Sequence, residues 1–269
     1  MTAGRVGGYS VACLVLTLCL TFKASPVYAQ ANLSWWPGTA VTLPEGAWGK
    51  GLFDPLRHGQ TENLEWAIHP VLFALLPNLA LKLSLNDLSE WRLATRASFS
   101  FPTPLLRFLT REGTGGILSP DPTIDPFPYA MFWRNEVLLS RSVSDRIFLN
   151  VNGGLAFVLR SGRVDPRTII DLPYIYPRMR AMQKGYQWNI GAGLLTILSS
   201  NWSVQTDGDL YVIPGTRRGV AFEHQGMVYL NRSSQFRLAG GYLLTWARYP
   251  FGGQWHLLPL LDLQWSWLR

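Results

Sequence analysis

The segment at residues 261–267 reads Leu-Asp-Leu-Gln-Trp-Ser-Trp and alternates apolar and polar side chains without a break. A strand directs successive side chains to opposite faces, so the leucines and tryptophans share one face. The aspartate, glutamine and serine share the other face. Tryptophan favours the boundary between membrane and water. This segment therefore predicts a strand with one face suited to lipid and one suited to water.

The same alternation recurs along most of the chain. The predicted strands are residues 32–43, 48–56, 62–69, 79–86, 91–101, 129–140, 146–159, 186–198, 202–213, 220–230, 235–247 and 257–267, of which the first is the weakest. After the N-terminal segment no stretch of about 18 apolar residues occurs, so transmembrane helices are not predicted there. The pattern predicts an all-β fold, a closed antiparallel transmembrane β-barrel of about 12 strands, with 10 as the alternative.

Residues 1–29 have the features of a secretory signal peptide. Arg5 gives a positive start, residues 11–22 form an apolar run too short to span a bilayer, and Ala29 gives a small residue before a cleavage site at Gln30. An N-terminal membrane anchor is the alternative. Both cysteines lie in this segment, so the mature chain is expected to have no thiol chemistry. Residues 30–269 are predicted to form one barrel domain.

The connections between the predicted strands alternate in length. Those at residues 57–61, 87–90, 141–145, 199–201 and 231–234 are short, whereas those at residues 70–78, 102–128, 160–185, 214–219 and 248–256 are mostly longer. Membrane barrels of bacteria keep short turns on the periplasmic side and longer loops outside. This rule places the C-terminus in the periplasm and requires an even number of strands.

The chain resembles Gram-negative outer-membrane β-barrel proteins over essentially all of its mature part. The motif is the amphipathic, aromatic-rich final strand, which in that family is recognised by the barrel-assembly machinery. The family usually ends on an aromatic residue, whereas this chain continues past Trp267 to Leu268 and Arg269. The resemblance implies an outer-membrane location, contact with outer-membrane lipids and lipopolysaccharide, and the assembly machinery as a partner during biogenesis.

The inward faces of the predicted strands carry the functional information. The turn at residues 87–90 is expected to bring Lys82 near Arg92, with Arg96 near Arg134 further along. The predicted lumen has a mainly basic wall of Lys82, Arg92, Arg96 and Arg134 with Glu136 among them, an acidic wall of Asp207, Asp209 and Glu223, and two further inward charges, Arg237 and Asp262. Opposed walls resemble the constriction of diffusion porins. They favour a narrow passive channel for small polar or charged solutes.

Two other functions stay open. The same charges can pair across a filled lumen, which would make a non-conducting structural or surface-interaction barrel, since eight strands enclose a filled interior and sixteen an open channel. A lipid-modifying outer-membrane enzyme is the second alternative. Such phospholipases use a Ser–His–Asn set on the lipid-facing wall, and here only His224 is predicted to face lipid. No enzyme activity is expected.

The composition and spacing exclude other ligands. The four histidines do not fall at metal-ligand spacing, so neither a metal nor a cofactor is expected. The formal net charge of +7 is spread along the chain, which does not favour nucleic acid. Facing carboxylates at Asp209 and Glu223 could hold a hard cation or form a glycosidase-like pair, but no other residue supports hydrolysis.

Two loops are unusual in composition. Residues 160–185 are rich in arginine, which can bind lipopolysaccharide phosphates through its guanidinium fork; a solvated loop is the alternative. The candidate contacts are Arg160, Arg163, Arg167, Arg178, Arg180 and Lys184. Residues 71–76 are apolar between prolines and are predicted to plug the lumen, pack on the membrane or line an access route for an apolar ligand.

Overall fold

The structure, a computed structural model, describes residues 35–70, 73–109, 127–164, 181–213, 219–249 and 252–268. The signal peptide predicted at residues 1–29 lies outside these ranges and stays a prediction. Within the described ranges, neither helix is long and apolar enough to cross a membrane.

Twelve strands form one closed antiparallel barrel, which confirms the predicted fold class. Each strand pairs with the next in the chain, and β1 pairs with β12 to close the sheet. The strands are β1 (Ala47–Gly51), β2 (Leu56–Gly59), β3 (Leu64–Ile68), β4 (Asn78–Ser84), β5 (Arg92–Ser100), β6 (Ala130–Ser144), β7 (Ile147–Arg160), β8 (Tyr186–Ile197), β9 (Trp202–Val212), β10 (Val220–Asn231), β11 (Phe236–Tyr249) and β12 (Gly252–Leu268). The described helices are α1 (Thr103–Leu109), after β5, and α2 (Ala181–Lys184), after β7.

The beginning of the barrel differs from the sequence prediction. Residues 35–46 are turns and irregular backbone, so the weak first strand predicted at residues 32–43 is wrong for its described part. The strand predicted at residues 48–56 is divided by a turn at residues 52–55 into β1 and β2. One predicted strand is lost and another is divided into two, so the structure has twelve strands, as predicted. Alternating side-chain types in a sequence cannot separate a wall strand from a segment that lies inside a barrel. The buried residues of this segment, Trp36, Thr39, Ala40, Thr42 and Leu43, do not follow a period of two.

The two ends of the barrel differ in their connections. We call the end at which β1 begins and β12 ends the terminus end, and the opposite end the loop end. Turns of few residues join β6 to β7, β8 to β9 and β10 to β11 at the terminus end. The connections containing α1 and α2 lie at the loop end. The β11–β12 connection is also at the loop end but has only residues 250–251, because both strands are longer than predicted.

The outer face of the barrel is apolar. Along β8 the exposed residues Tyr186, Trp188 and Ile190 alternate with the buried residues Gln187 and Asn189. Aromatic pairs collect towards both ends: Trp48 with Trp267 and Phe236 with Trp265 at the terminus end, and Phe99 with Trp133 and Phe101 with Tyr129 nearer the loop end. An apolar band between two aromatic girdles is the surface of a transmembrane barrel.

Polar side chains also lie on the outward face, among them Asn135 and His224, which was predicted to face lipid. Asn135 is exposed, and the His224 ring stacks on Tyr242, with its Nε2 atom 3.1 Å from Thr206 Oγ1. A local side-chain partner thus reduces the cost of placing an imidazole on this face.

Replacement of the outward-facing Ile190 by arginine tests the lipid-facing register. We expect Ile190→Arg to lower the free energy of unfolding by about 2–4 kcal/mol, because a guanidinium near the middle of the apolar band loses hydration. Gln225→Arg is the matched control, because Gln225 faces the lumen and pairs with Asp207 in the register. Urea titrations in lipid vesicles measure both values. Equal losses would contradict the assignment of the two faces.

Candidate functional site

Residues 35–46 cross the lumen at the terminus end before the chain enters β1, and we call them the lumen floor. Trp36 is only 2% exposed, and Ala40 is fully buried against Ala94 and Leu138 of the wall. The Ala40 backbone N–H donates to Ser140 Oγ at 2.8 Å. The floor is therefore packed on the barrel wall, and it covers the lumen on this side.

Cationic side chains of the wall hold the floor by its carbonyl groups. Such bonds satisfy backbone acceptors that no strand pairs. The donors and acceptors are Lys82 Nζ to Val41 O at 2.7 Å and to Thr39 O at 3.4 Å, Arg96 to Pro37 O at 3.2 Å, and Arg57 and Arg237 to Trp35 O at 3.1 and 3.3 Å.

The cations that hold the floor are ion-paired along the wall. Glu65 Oε1 lies 2.7 Å from Arg57 Nε, and Glu65 Oε2 lies 3.3 Å from Lys82 Nζ. All three side chains are buried, and Glu65 Oε2 also accepts from the Leu43 backbone N–H of the floor at 2.9 Å. Because each charge has an opposite charge nearby, this cluster meets the requirement for burying ionised groups.

A second cluster continues the first along one row of the sheet. The Arg96 guanidinium lies 2.7 Å from Glu136 Oε2, and Arg134 binds the other oxygen of the same carboxylate. The register pairs Glu65 with Lys82, Lys82 with Arg96 and Arg96 with Glu136. Lys82 thus lies beside Arg96, and the expected neighbourhood of Lys82 and Arg92 is wrong. Arg92 is half-buried near the beginning of β5, where it pairs with Ser140.

Arg237 anchors the tryptophans of the floor. Its guanidinium carbon lies 4.6 Å from the Trp35 ring centre, 4.4 Å from that of Trp36 and 4.5 Å from that of Tyr229. Cation–π contacts are strong where the cation is desolvated, and Arg237 is buried. On the other side Arg237 donates to Gln264, which in turn donates to Asp262.

The acidic residues lie on β9 and β10, away from the ion-paired row. The register places Asp209 opposite Glu223 and Asp207 opposite Gln225. Asn152 Nδ2 donates to Asp209 Oδ1 at 3.0 Å, and Gln205 donates to Asp207. Tyr211 donates its hydroxyl to Glu223 Oε2 at 3.1 Å.

Asp207 and Asp209 differ from the glutamates of the opposite wall. Both are half-buried, and within the described ranges neither has a cationic partner within ion-pair distance. A carboxylate that is neither paired with a cation nor hydrated is too costly to keep ionised. These two side chains therefore either keep a proton or are hydrated, and hydration requires water in the lumen above the floor.

Two glycines of β8 make room for these carboxylates. A Cβ atom at Gly191 would lie 2.1 Å from Asp209 Oδ1, and one at Gly193 would lie 1.9 Å from Asp207 Oδ1. Our sequence analysis did not select these glycines, because their role depends on the pairing of β8 with β9. A glycine on the inward face of an otherwise regular strand is the available signal, since it marks a close approach.

The predicted lipopolysaccharide contacts are only partly described. Arg160 donates to the carbonyl groups of Met182 and Gln183 near the end of α2, at 3.0 Å for Gln183. Arg163 and Lys184 are exposed. Arg167, Arg178 and Arg180 lie outside the described residues.

Two further sequence hypotheses concern chemistry at the wall. His224 Nε2 lies 3.1 Å from Thr206 Oγ1, and its ring stacks on Tyr242; neither contact residue is the serine or the asparagine of the phospholipase set. Among the described residues, no group of three or more His, Cys, Asp or Glu side chains could hold a metal ion.

Removing the charge of Glu65 tests the ion-paired support of the floor. We expect Glu65→Gln to lower the free energy of unfolding by about 3–5 kcal/mol, because Arg57 and Lys82 would stay buried without their carboxylate. Glu62→Gln is the control: the Glu62 side chain is exposed, and only its backbone carbonyl binds the floor, through Thr42. Urea unfolding followed by gel mobility measures both, and equal midpoints would contradict a supporting role for Glu65.

Comparisons with known proteins give structural likeness only. No family model and no curated protein matches the chain. The similar solved structures include "KdgM porin in complex with disordered oligogalacturonate", at 5% identity and TM-score 0.43, over 82% of this chain and 96% of that one. "Bacterial polysaccharide outer membrane secretin" has 8% identity and TM-score 0.45, over 84% of this chain and 77% of that one. "Crystal structure of the outer membrane channel DcaP of Acinetobacter baumannii" has 9% identity and TM-score 0.40, over 79% of this chain and 62% of that one. By its closed antiparallel sheet and its apolar outer face, the chain has the fold of a transmembrane β-barrel.

Proposed function

We propose that the protein is a narrow passive channel for small polar or charged solutes. The observation that carries this proposal is the pair Asp207 and Asp209, whose described partners are neutral and whose ionised form requires water. The opposite wall carries Arg96 and Arg134. A hydrated lumen between acidic and basic walls attracts ions and orients polar solutes. The constriction in this proposal is the lumen floor, which must shift or leave a path beside it.

The lumen floor also supports a second candidate, a non-conducting structural barrel. Its carbonyl groups are held by buried cations, and its apolar side chains pack on the wall. A floor held in this way stabilises a closed barrel whether or not solutes pass. Conductance separates the two functions.

Neutralising Asp207 and Asp209 tests the channel. We expect the wild-type protein to show unitary conductance in a planar bilayer. The double variant Asp207→Asn/Asp209→Asn should shift the reversal potential in a salt gradient towards anion preference, most strongly at low salt, where screening is weak. The control is Asp87→Asn/Asp145→Asn, which removes two exposed charges from turns at the terminus end. It should leave the selectivity unchanged.

The outcomes of this measurement separate the hypotheses. No unitary conductance from the wild-type protein would overturn the channel and favour the structural barrel. Conductance with the same selectivity in both double variants would place the ion path away from the acidic wall. Glu65→Gln, which loosens the floor, should raise the open fraction if the floor is the constriction. An unchanged open fraction would exclude the floor from that role.

For the orientation, we propose that the terminus end faces the periplasm and the loop end faces the cell exterior. The support is the sorting of connections, because outer-membrane barrels keep their short turns in the periplasm. In this orientation the arginine-rich connection after β7 lies outside the cell. There Arg163 and Lys184 are placed to contact lipopolysaccharide phosphates.

Cysteine labelling on whole cells tests this orientation. Arg163→Cys lies in the connection after β7 and Ser234→Cys in the turn between β10 and β11, and both positions are exposed. An impermeant maleimide should label the first variant on intact cells and the second only after the outer membrane is broken. Labelling of Ser234→Cys on intact cells would invert the orientation.

A further inference from the structure

The last strand is much longer than its neighbour across the barrel closure. β12 has 17 residues, whereas β1 has five and covers only the stretch from Gln264 to Leu268. One further bond joins the Leu52 N–H to the Leu263 carbonyl at 2.9 Å. Beyond it, within the described part of the chain, no strand pairs with residues 252–262 on this side. At the usual rise per residue this edge is roughly 35 Å long.

The exposure of outward side chains on β12 shows the missing neighbour. Where β1 is paired, Leu263 is 39% exposed and Trp267 is 36% exposed. Beyond the pairing, Leu261 is 74% exposed and Leu257 is 67% exposed. The outward direction is the same in all four cases, so the difference reflects the missing strand beside them.

Pro259 agrees with an unpaired edge. The Leu263 carbonyl points towards β1, and every second residue of a strand directs its N–H and C=O to the same side. Pro259 therefore directs its nitrogen, which has no hydrogen, to this edge. Proline is confined to edges of sheets because it cannot donate in a ladder.

The wall beside this edge is low. β1, β2 and β3 have five, four and five residues, whereas β11 on the other side of β12 has 14. We call the space above β1–β3, between β12 and β4, the lateral gap. It lies in the loop-end half of the barrel. Exposed apolar side chains of the adjoining connections border it: Leu52, Phe53, Phe73 and Leu75.

An apolar stripe runs from the lateral gap into the lumen. On β12 the inward residues Leu258 and Leu260 follow the unpaired edge, and Leu258 is beside the buried Leu243 of β11. Leu260 packs on the cluster that contains Met227 and the floor residue Trp36. The wall opposite is charged, so the apolar character of the lumen is concentrated next to the gap.

We propose that the lateral gap admits a membrane lipid, with an acyl chain lying on the apolar stripe. Two requirements point to this ligand. The edge of β12 presents backbone N–H and C=O groups, which cannot face hydrocarbon without polar partners. The leucines require apolar contact. The carbonyl of an ester or amide can accept from N–H groups of this edge, water can donate to the C=O groups of the edge, and the acyl chain contacts the leucines. The gap is continuous with the lipid-facing surface. The lipid comes from the outer leaflet, which rests on the orientation proposed above.

Fluorescence quenching by brominated lipids tests the proposal. The mature chain has no cysteine, so Leu258→Cys can carry a single bimane label. The matched control is Gln225→Cys, because Gln225 pairs with Leu243 and Leu243 with Leu258, so the control faces the lumen in the same row two strands away. Leu260→Cys is the second site if the first variant does not fold. The vesicles carry phosphatidylcholine brominated on its acyl chains in both leaflets, so the result does not depend on orientation.

We expect bromolipid to quench the label at position 258 at least twofold more than the label at position 225. Iodide in the aqueous phase should show the opposite order. Adding Leu260→Asn to the Leu258→Cys variant should reduce the quenching by lipid, because it interrupts the apolar stripe. Equal quenching by bromolipid at positions 258 and 225 would overturn the lateral gap as a lipid site, whatever the conductance and labelling experiments show.

Discussion

The pairing of every backbone polar group is the constraint on which this barrel depends, since hydrocarbon offers no partner for an N–H or a C=O. Eleven of the strand junctions meet it through hairpins between consecutive strands. The remaining junction joins the two ends of the sheet, β1 and β12, over only five residue pairs. Stability at this closure must therefore come from more than the ladder itself.

Polar side chains in the lumen supply that additional stability. The Phe53 N–H donates to Asp262 at 2.9 Å, and Gln264 connects Asp54, Asp262 and Arg237. These bonds lie on the lumen side of the closure. The outer side of the closure offers only apolar contact. The ion-paired row on β3–β6 serves a different region, where it supports the floor. Asp207 and Asp209 on β9 form no ion pair within the described residues, although Gln205 and Tyr229 connect Asp207 to Arg237. The lack of a cationic partner within ion-pair distance is why these two carboxylates carry the functional proposal.

The sequence predicted the local features well and the long-range ones poorly. β8, β9 and β10 lie within a residue or two of their predicted bounds, because alternation and turn residues are local signals. The inward residues on these strands followed from the same pattern. The neighbour of Lys82 did not, because a shift of register by a few residues changes every pair, whereas Arg96 lies with Arg134 and Glu136 as predicted. Glu65 was missed for the same reason: its role depends on Arg57 and Lys82, which come from neighbouring strands.

The lumen floor could not be predicted from alternation at all. Trp36, Thr39, Ala40, Thr42 and Leu43 are buried without the period of a strand, and their neighbours are wall side chains and not a ladder. Nothing in residues 35–46 alone specifies that a lysine from β4 will bind their carbonyl groups. The division between β1 and β2 was also missed, since a four-residue strand gives too few alternations to recognise.

One carbonyl group of the floor lies between the two sides of the closure. The Trp35 carbonyl accepts from Arg57 on β2 and from Arg237 on β11, the strands that flank the β1–β12 pair. The segment that covers the lumen thus also bridges the junction that closes the sheet. Closing the cylinder and covering its interior share one anchor. A nascent sheet that has paired all its hairpins still lacks this bridge until its N-terminal segment has folded inside.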